Sequence, residues 1–306
     1  MSGNIRKKWD VLIETTKNIL RKEAPDIVLI NGTYSAPWIL AQAAQELGIP
    51  MVLRYAGVLQ KEVGNKGYFV RRRLLTYEQS IVSAANAIIF PSTLCRKVVE
   101  HEIVHRSVKK GIVIPNPVSH VGTVHQKHSR KARFTMAAIG RWSAIKNFQA
   151  FLALHDALQE EQWPHRAIMV TSFWDERFGI SETIERKDPM NQEDLQTFYQ
   201  SLDLLVVPSH FETFCNVAAE ALVHGCSVLV SENIGIADVL RKAGLDRMVI
   251  KSFADPAVVV AAVKRLSKTK LSTKEHKLIV KLLDPQEIHE GIVRVLNQVL
   301  EGDSLA

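Results

Sequence analysis

Cysteine is scarce in this sequence, and no stretch of it is long and apolar. Its 306 residues include three cysteines, an odd number without Cys-x-x-Cys spacing. That pattern argues against a disulfide framework or a cysteine-rich metal site, and it predicts buried thiols for Cys95, Cys215 and Cys226. Apolar runs such as 257–263 are far shorter than the roughly 20 residues that cross a bilayer, and no apolar segment follows the basic residues near position 6. We therefore expect a cytoplasmic protein.

Acidic residues are sparse in one part of the chain. Residues 61–133 hold 14 Lys and Arg against 4 Asp and Glu, a net charge of +10, and since the whole chain carries +7 the remainder is near −3. Such a basic region suits peripheral contact with the inner face of a membrane or a phosphorylated acceptor, and it is equally consistent with an ordinary solvated surface. No zinc-finger, recognition-helix or RNA-binding aromatic motif accompanies the charge, so nucleic acid is not an expected partner.

Short apolar, β-branched runs alternate with amphipathic helical stretches along the chain. Because a helical crossover joins neighbouring parallel strands, this alternation predicts an α/β fold with parallel sheets. The predicted strands are 27–30, 51–55, 87–90, 112–114, 134–139, 167–171, 204–207, 227–231 and 248–250. Helices are predicted near 5–20, 36–47, 68–85, from 93, from 147, and at 192–201, 215–224, 236–243, 256–267 and 285–300.

A proline-containing, polar and basic stretch separates two such series of strands and helices. Pro115 and Pro117 cannot continue a strand, and the residues up to 133 are typical of a linker. We therefore predict two Rossmann-like, doubly wound parallel-sheet domains. The expected divisions are 1–118, 119–284 and a C-terminal helix within 285–306 that packs back towards the N-terminal domain.

The richest polar cluster occupies residues 209–221. A predicted strand ends just before it, a loop presents Glu212, and a helix begins near Cys215. The free N–H groups and positive dipole end of that helix suit an anion or the hydroxyls of a sugar. Glu220 lies one turn beyond Asn216, so the two carboxylates could bracket one polar ligand. The plainer alternative is a solvated helix glutamate and an ordinary loop glutamate.

The spacing of Glu212 and Glu220 resembles the E-x7-E motif of retaining GT-B glycosyltransferases, in particular glycosyltransferase family 4. The flanking residues 204–209 and 220–231 resemble the strand–loop–helix–strand run of that family, and Gly235 resembles its Gly-rich turn. This resemblance implies that Glu212 contacts the donor sugar and Glu220 the nucleotide ribose. It also implies that backbone amides at the start of the helix line the sugar and phosphate end of the donor.

A second cluster, 140–147, follows a predicted strand and opens a helix. It contains two cations, Arg141 and Lys146. Arginine can bind a diphosphate with two parallel hydrogen bonds and lysine acts as a point charge, although basic residues in such loops are usually just solvated. The cluster resembles the G-R-x4-K donor-phosphate motif of the same family. That likeness implies that both cations offset the charge on the departing nucleoside diphosphate.

The predicted function is a retaining transfer of a sugar from a nucleoside-diphosphate sugar to a hydroxyl of a glycan or lipid-linked glycan. No metal or other cofactor is expected, because no cluster of His, Asp and Cys ligands is visible. The predicted catalytic residues are Glu212, Arg141 and Lys146. The predicted donor-binding residues are Glu220, Phe214, Cys215, Asn216, Gly140 and His210.

The first half of the chain resembles the family less. Relatives open with further βα units, so about a quarter of the usual N-terminal domain is expected to be missing. Ala56 stands where many relatives carry a histidine, and Arg54 or Tyr55 is a candidate replacement. These departures leave two alternatives: a non-catalytic or split-gene remnant that needs a partner chain, and a GT-B nucleotide-sugar epimerase. A nicotinamide-dependent enzyme is disfavoured, because no G-x-G-x-x-G follows a strand.

Overall fold

The computed structural model describes residues 2–63, 67–118, 133–173 and 179–302. The chain divides into two compact units. The first unit is Met1–Pro115 with Gln286–Ala306, and the second unit is Asn116–Pro285. Most of the predicted linker, 119–132, lies outside the described residues. Within the described part of the chain, no helix is both long enough and apolar enough to cross a membrane.

The first unit is built on a parallel sheet of four strands in the order β1-β2-β3-β4. Its helices connect the strands in sequence, and the last helix of the chain returns to this unit. The elements are α1 Ser2–Glu23, β1 Val28–Asn31, α2 Ser35–Glu46, β2 Met51–Arg54, α3 Leu59–Glu62, α4 Tyr68–Ala84, β3 Ala87–Phe90, α5 Thr93–Val98, β4 Gly111–Val113 and α12 Pro285–Glu301.

Helix α12 covers one face of this sheet. Its apolar residues Ile288, Ile292 and Val295 recur at helical spacing, and they are buried against Val52 of β2 and Ala87 and Ile89 of β3. Alternate residues of a strand point to opposite faces, so Ile88 lies on the other face and is equally buried. Burial on both faces explains why β3 reads as a continuous apolar run.

A buried carboxyl group lies in the first unit. Glu78 of α4 is fully buried, and its Oε1 accepts hydrogen bonds from the Tyr55 hydroxyl at 2.6 Å and the Leu59 N–H at 3.4 Å. Its Oε2 has no hydrogen-bond partner among the described residues. Burial raises the pKa of Glu78 to about 7. Tyr55 is itself 0% exposed and therefore cannot contact a ligand. The suggestion that it replaces the family histidine was wrong.

The second unit holds a parallel sheet of six strands in the order β10-β9-β8-β5-β6-β7. Strands β8 and β9 are buried along their whole length and lie at the centre of its core. The elements are β5 Phe134–Ile139, α6 Phe148–Glu160, β6 His165–Val170, β7 Ile184–Lys187, α7 Gln192–Ser201, β8 Leu204–Val207, α8 Asn216–Val223, β9 Ser227–Ser231, α9 Ala237–Lys242, β10 Val249–Ile250, α10 Pro256–Lys268 and α11 Thr273–Leu282.

Three elements of the two units were not predicted from the sequence: β7 and α11 in the second unit, and the single turn α3 in the first. Strand β7 is an edge strand, and its outward Glu185 pairs with Arg166 on the neighbouring strand, so its sequence is too polar to read as a buried strand. Helix α11 does carry a sequence signal at its start. Ser272 and Glu275 form a reciprocal capping box at its start.

The buried Glu78 predicts a specific dependence of stability on pH. Its pKa in the folded protein lies above the ordinary 4.5, so the folded state binds the proton more tightly and stability falls as pH rises from about 4.5 to about 7. Over this pH range the free energy of unfolding falls by about 3 kcal/mol. Gln mimics the neutral acid, so we expect Glu78→Gln to gain stability relative to the parent chain between about pH 5 and about pH 8, measured by urea unfolding.

The exposed Glu160→Gln serves as the matched control and should track the parent chain at both pH values. A Glu78→Gln chain whose stability falls with pH as steeply as that of the parent would contradict a neutral Glu78.

Candidate functional site

The strand order of the second unit reverses between β8 and β5. The chain moves outward from β5 to β7 on one side, then returns to build β8, β9 and β10 on the other side. All these strands are parallel, so the segments that follow β5 and β8 leave the same edge of the sheet. Ligands of such sheets bind at the carboxyl ends of the strands where the order reverses. Both polar clusters of the sequence, 140–147 and 209–221, begin at this edge.

The segment after β5 is a tight, ordered loop. The Gly140 N–H donates to the Val170 carbonyl at 3.0 Å, which continues the pairing of β5 with β6. A 3-10 turn over Ala144–Lys146 follows, and Asn147 takes a left-handed conformation (φ 49°) immediately before α6 begins. The Trp142 ring stacks on the first side chain of that helix, with centroids 5.3 Å apart. These contacts fix the direction in which Lys146 leaves the loop.

The segment after β8 is anchored by backbone hydrogen bonds to the residues that follow β9. The Glu212 N–H donates to the Asn233 carbonyl at 3.2 Å, and the Glu212 carbonyl accepts from the Gly235 N–H at 3.0 Å. Phe214 makes a similar contact, because its carbonyl accepts from the Ile236 N–H at 2.7 Å. The Gly235 turn that follows β9 therefore anchors the backbone that carries Glu212.

Hydrogen bonds join the two segments across the reversal point. The His210 N–H donates to the Ile145 carbonyl at 2.8 Å, and the Asn147 side-chain amide donates to the Pro208 carbonyl at 3.1 Å. Both bonds involve the backbone, so they hold the two loops in one relative position independently of any ligand.

Between these bonds lies an ion pair. Lys146 Nζ donates to Glu212 Oε1, and the Ser209 hydroxyl donates to the same oxygen at 2.9 Å. The two charged side chains are only 24% and 19% exposed, so water screens their attraction less than at an open surface. Glu212 Oε2 makes no hydrogen bond with a described residue and remains able to accept one from a ligand hydroxyl.

A small pocket opens beside this ion pair. Its walls come from the end of β5, the end of β8, and the starts of α6 and α8. The lining residues are Ile139, Lys146, Phe148, Val207, Pro208, Ser209, Glu212, Cys215 and Val217. A charged pair and the Ser209 hydroxyl among apolar side chains are the composition expected of a site that orients a polar group of a ligand.

Helix α8 begins at the pocket. Cys215 precedes it in a left-handed conformation (φ 84°), which is uncommon for a residue other than glycine, and its side chain is buried. Burial, reinforced by the negative charge of Glu212, raises the pKa of the Cys215 thiol to about 12. The thiol is therefore a neutral wall of the pocket rather than a nucleophile. The helix ends at Val223, and the left-handed φ of 81° at Gly225 then lets the chain turn directly into β9.

Glu220 faces a different partner. The Tyr199 hydroxyl of α7 donates to Glu220 Oε2 at 2.9 Å, and the Tyr199 ring stacks on His224 with centroids 6.0 Å apart. Burial raises the pKa of Glu220, while the Tyr199 hydrogen bond acts in the opposite direction. Glu220 is therefore held in a fixed orientation and is not an ordinary solvated helix glutamate.

The remaining predicted residues occupy varied positions. Arg141 is exposed, and its guanidinium makes no hydrogen bond or ion pair with a residue the structure describes. His210 is exposed too, and its contact to the other loop comes from its backbone. Phe214 is 1% exposed, so only its backbone can face a ligand. Asn216, the first residue of α8, accepts a hydrogen bond from Asn116 at 2.9 Å.

Two contributors to the site were not predicted. Ser209 lies next to the motif and holds the Glu212 carboxylate, a role that a hydroxyl three residues before a glutamate could have suggested. Tyr199 lies 21 residues before Glu220, and no sequence pattern connects the two. Among the described residues, no group of three or more His, Cys, Asp or Glu side chains is arranged to hold a metal ion.

The fold and the position of the site define a class. Two parallel-sheet α/β units, with a polar pocket where the strand order of the second unit reverses, match the GT-B glycosyltransferase architecture. The model of the family Glycosyl transferases group 1 matches residues 126–281, about half of the chain, and that of Glycosyltransferase Family 4 matches residues 6–121. The chain belongs to the group 1 glycosyl transferases.

Solved structures share the fold at low sequence identity. Sucrose-phosphate synthase from Thermosynechococcus elongatus has a TM-score of 0.77 and 14% identity, over 97% of this chain and 80% of that one. The E. coli structure described as trehalose-6-phosphate bound with UDP-2-fluoro glucose gives 0.69 and 15%, over 96% and 79%. A glycosyltransferase from Rickettsia africae ESF-5 gives 0.69 and 11%, over 94% and 80%. At these identities the likeness shows the fold, and the predicted GT-B fold is confirmed.

One curated relative matches over a short segment. D-inositol 3-phosphate glycosyltransferase of Streptomyces bingchenggensis (strain BCW-1) is 37% identical over 60 residues. That segment is 20% of this chain and 13% of the relative. The relative is named as a glycosyltransferase, in agreement with the predicted class of enzyme.

The burial of the three cysteines predicts their reactivity. Cys95, Cys215 and Cys226 are 0%, 8% and 2% exposed, and burial raises the thiol pKa of Cys95 as well as that of Cys215. At about pH 8, iodoacetamide should alkylate the three thiols of the native chain much more slowly than a free thiol, because all three are buried. Mass spectrometry should find three alkylated cysteines after unfolding in urea. Rapid alkylation of native Cys215 would contradict its assignment as a buried, neutral wall.

Proposed function

We propose that this chain is a retaining glycosyltransferase whose second unit binds a nucleoside-diphosphate sugar. The observation that carries this proposal is the half-buried Lys146–Glu212 pair at the point where the strand order reverses. A lysine paired only with a carboxylate can exchange that partner for a diphosphate, whose charge is larger. The carboxylate is then free to bind a neutral group beside the phosphate, such as a sugar hydroxyl.

The surrounding residues support a donor in one orientation. Arg141 is exposed on the same loop as Lys146, and a guanidinium can bind two phosphate oxygens at once. The start of α8 offers backbone N–H groups to the same anion. Glu220, oriented by Tyr199, is the acceptor for hydroxyls of the ribose.

The stereochemistry of the proposed transfer is taken from the resemblance to retaining GT-B glycosyltransferases. The acceptor hydroxyl attacks the anomeric carbon on the face from which the phosphate leaves, so the configuration is retained. The bond between the anomeric carbon and the phosphate oxygen breaks, and the leaving phosphate takes the proton of the attacking hydroxyl. Lys146 and Arg141 stabilise the negative charge that grows on the nucleoside diphosphate, an effect that often dominates such reactions. No step requires a metal ion, and the acceptor we propose is a hydroxyl of a glycan or lipid-linked glycan.

Binding of nucleotides tests the donor site. Calorimetric titration with UDP, GDP, ADP and their glucose conjugates should reveal selective binding of one base. Arg141→Ala removes a charge-assisted contact, so the affinity should fall about 10- to 100-fold. Arg241→Ala removes an exposed arginine of the same unit that belongs to α9 and not to the 140–147 cluster, and this variant should bind nucleotide as the parent chain does.

Failure of all the nucleotides to bind would overturn the proposal for this chain. Conversion of the bound sugar without any acceptor would instead favour an epimerase. Glu212→Ala distinguishes the sugar contact from the nucleotide contacts. This variant should have a lower turnover, while its affinity for the nucleoside diphosphate stays within about threefold of that of the parent chain.

The Tyr199–Glu220 hydrogen bond allows a test of the proposed contact between Glu220 and the ribose. Tyr199→Phe should weaken nucleoside-diphosphate binding about two- to tenfold, since Glu220 loses the group that orients it. In a Glu220→Ala background the same substitution should have little further effect, because the two residues act through one contact. Independent, additive losses in the double variant would show that Tyr199 does not act through Glu220.

A further inference from the structure

The side chains at the beginning of α4 are exposed, and the Gln60 side chain donates a hydrogen bond to the Arg71 carbonyl at 3.0 Å. All six residues from Tyr68 to Arg73 are exposed. Among them, Tyr68 is 68% and Phe69 84% exposed, and their rings touch edge to face with centroids 5.6 Å apart. Two neighbouring aromatic rings this exposed leave a large apolar surface in contact with water, which is unusual unless a partner covers it.

Helical geometry places these rings on the side away from the core. Successive residues rotate by about 100°, so Tyr68 and Phe69 share a face with Arg72 and Arg73, which follow them by four residues. The opposite face of α4 is buried through Tyr77, Glu78, Ile81 and Val82. The exposed aromatic pair is therefore flanked by two arginines on an outward face. We call Tyr68, Phe69, Arg72 and Arg73, with the adjoining Val70 and Arg71, the α4 tip.

The charge of the α4 tip is unbalanced. Arg71, Arg72 and Arg73 make no ion pair with a described residue, and no acidic side chain occurs in α4 before the buried Glu78. The positive end of the helix dipole adds to the same field. The tip therefore joins three arginines that pair with no described acidic side chain to an exposed apolar surface, within a region of the sequence that carries an excess of positive charge.

We propose that the α4 tip docks the chain onto an anionic lipid surface. Tyrosine and phenylalanine insert readily at the level of the lipid headgroups, and arginines beside them bind headgroup phosphates. An RNA strand fits the tip less well. Single-stranded nucleic acid uses a positively charged groove with successive aromatic platforms, whereas this surface is one convex helix end whose Val70 offers nothing to a base.

This inference is independent of the proposed donor chemistry, because the tip belongs to the first unit and the pocket to the second. Vesicle flotation of the full chain tests it. Vesicles of phosphatidylcholine with about 30 mol% phosphatidylserine should bind the chain at least about tenfold better than vesicles of phosphatidylcholine alone. Raising the salt concentration should weaken this binding, since exposed charges are screened.

Two variants locate the contact. The double variants Tyr68→Ser with Phe69→Ser, and Arg72→Gln with Arg73→Gln, should each reduce vesicle binding at least about tenfold. Phe173→Ser and Arg241→Gln are matched controls, since they change an exposed aromatic and an exposed arginine of the second unit. They should bind vesicles as the parent chain does. All substituted side chains are exposed, so the circular dichroism spectra should be unchanged.

Three results would overturn the proposal. One is equal or absent binding to both kinds of vesicle, and another is undiminished binding by the tip variants. The third is tighter, tip-dependent binding of a single-stranded RNA oligonucleotide than of the anionic vesicles. Nucleotide calorimetry on the tip variants keeps the two proposals apart, because their donor affinity should equal that of the parent chain.

Discussion

The adjacency of β5 and β8 is the constraint on which the candidate site depends. These two strands meet because the chain builds its sheet outward from β5 in one direction and then in the other, so the segments that follow them emerge side by side. Backbone hydrogen bonds fix the two segments against each other, through Ile145 with His210 and through Asn147 with Pro208. A cation from one segment and a carboxylate from the other then meet in a partly buried position without any ligand to organise them.

The arrangement explains how a charged pair is held among the apolar side chains of the pocket. A partly buried lysine or glutamate is costly alone, and here each side chain neutralises the charge of the other. In the function we propose, an incoming diphosphate replaces Glu212 as the partner of Lys146 and leaves the carboxylate, still bonded to Ser209, ready for a sugar hydroxyl. Under that proposal one interaction stabilises the pocket before binding and supplies two ligand contacts after it. The neutral thiol of Cys215 contributes shape alone.

Much of this could be predicted from the sequence, since apolar runs such as 204–207 are buried on both faces and leave a clear pattern. Glu212, Lys146 and Cys215, which belong to the two motifs, line one pocket, and their roles in donor binding stay predictions. Other features depend on partners that are distant in the chain. Nothing in the sequence around Tyr199 indicates its bond to Glu220, and nothing around Tyr55 reveals that the buried Glu78 holds its hydroxyl. The edge strand β7 was not predicted, because its outward positions hold charged side chains in salt bridges and not buried apolar side chains. Helix α11 is a different case, because the spacing of Ser272 and Glu275 in the sequence already indicates its capping box.

A crystal structure of the chain with the nucleoside diphosphate that binds it best tests the central claim most directly. Our account predicts the diphosphate at the carboxyl ends of β5 and β8, contacted by Lys146 and Arg141, with a ribose hydroxyl on Glu220 and the Lys146–Glu212 contact loosened. A nucleotide bound elsewhere, or one bound there while Lys146 stays on Glu212 and Arg141 touches nothing, would contradict it.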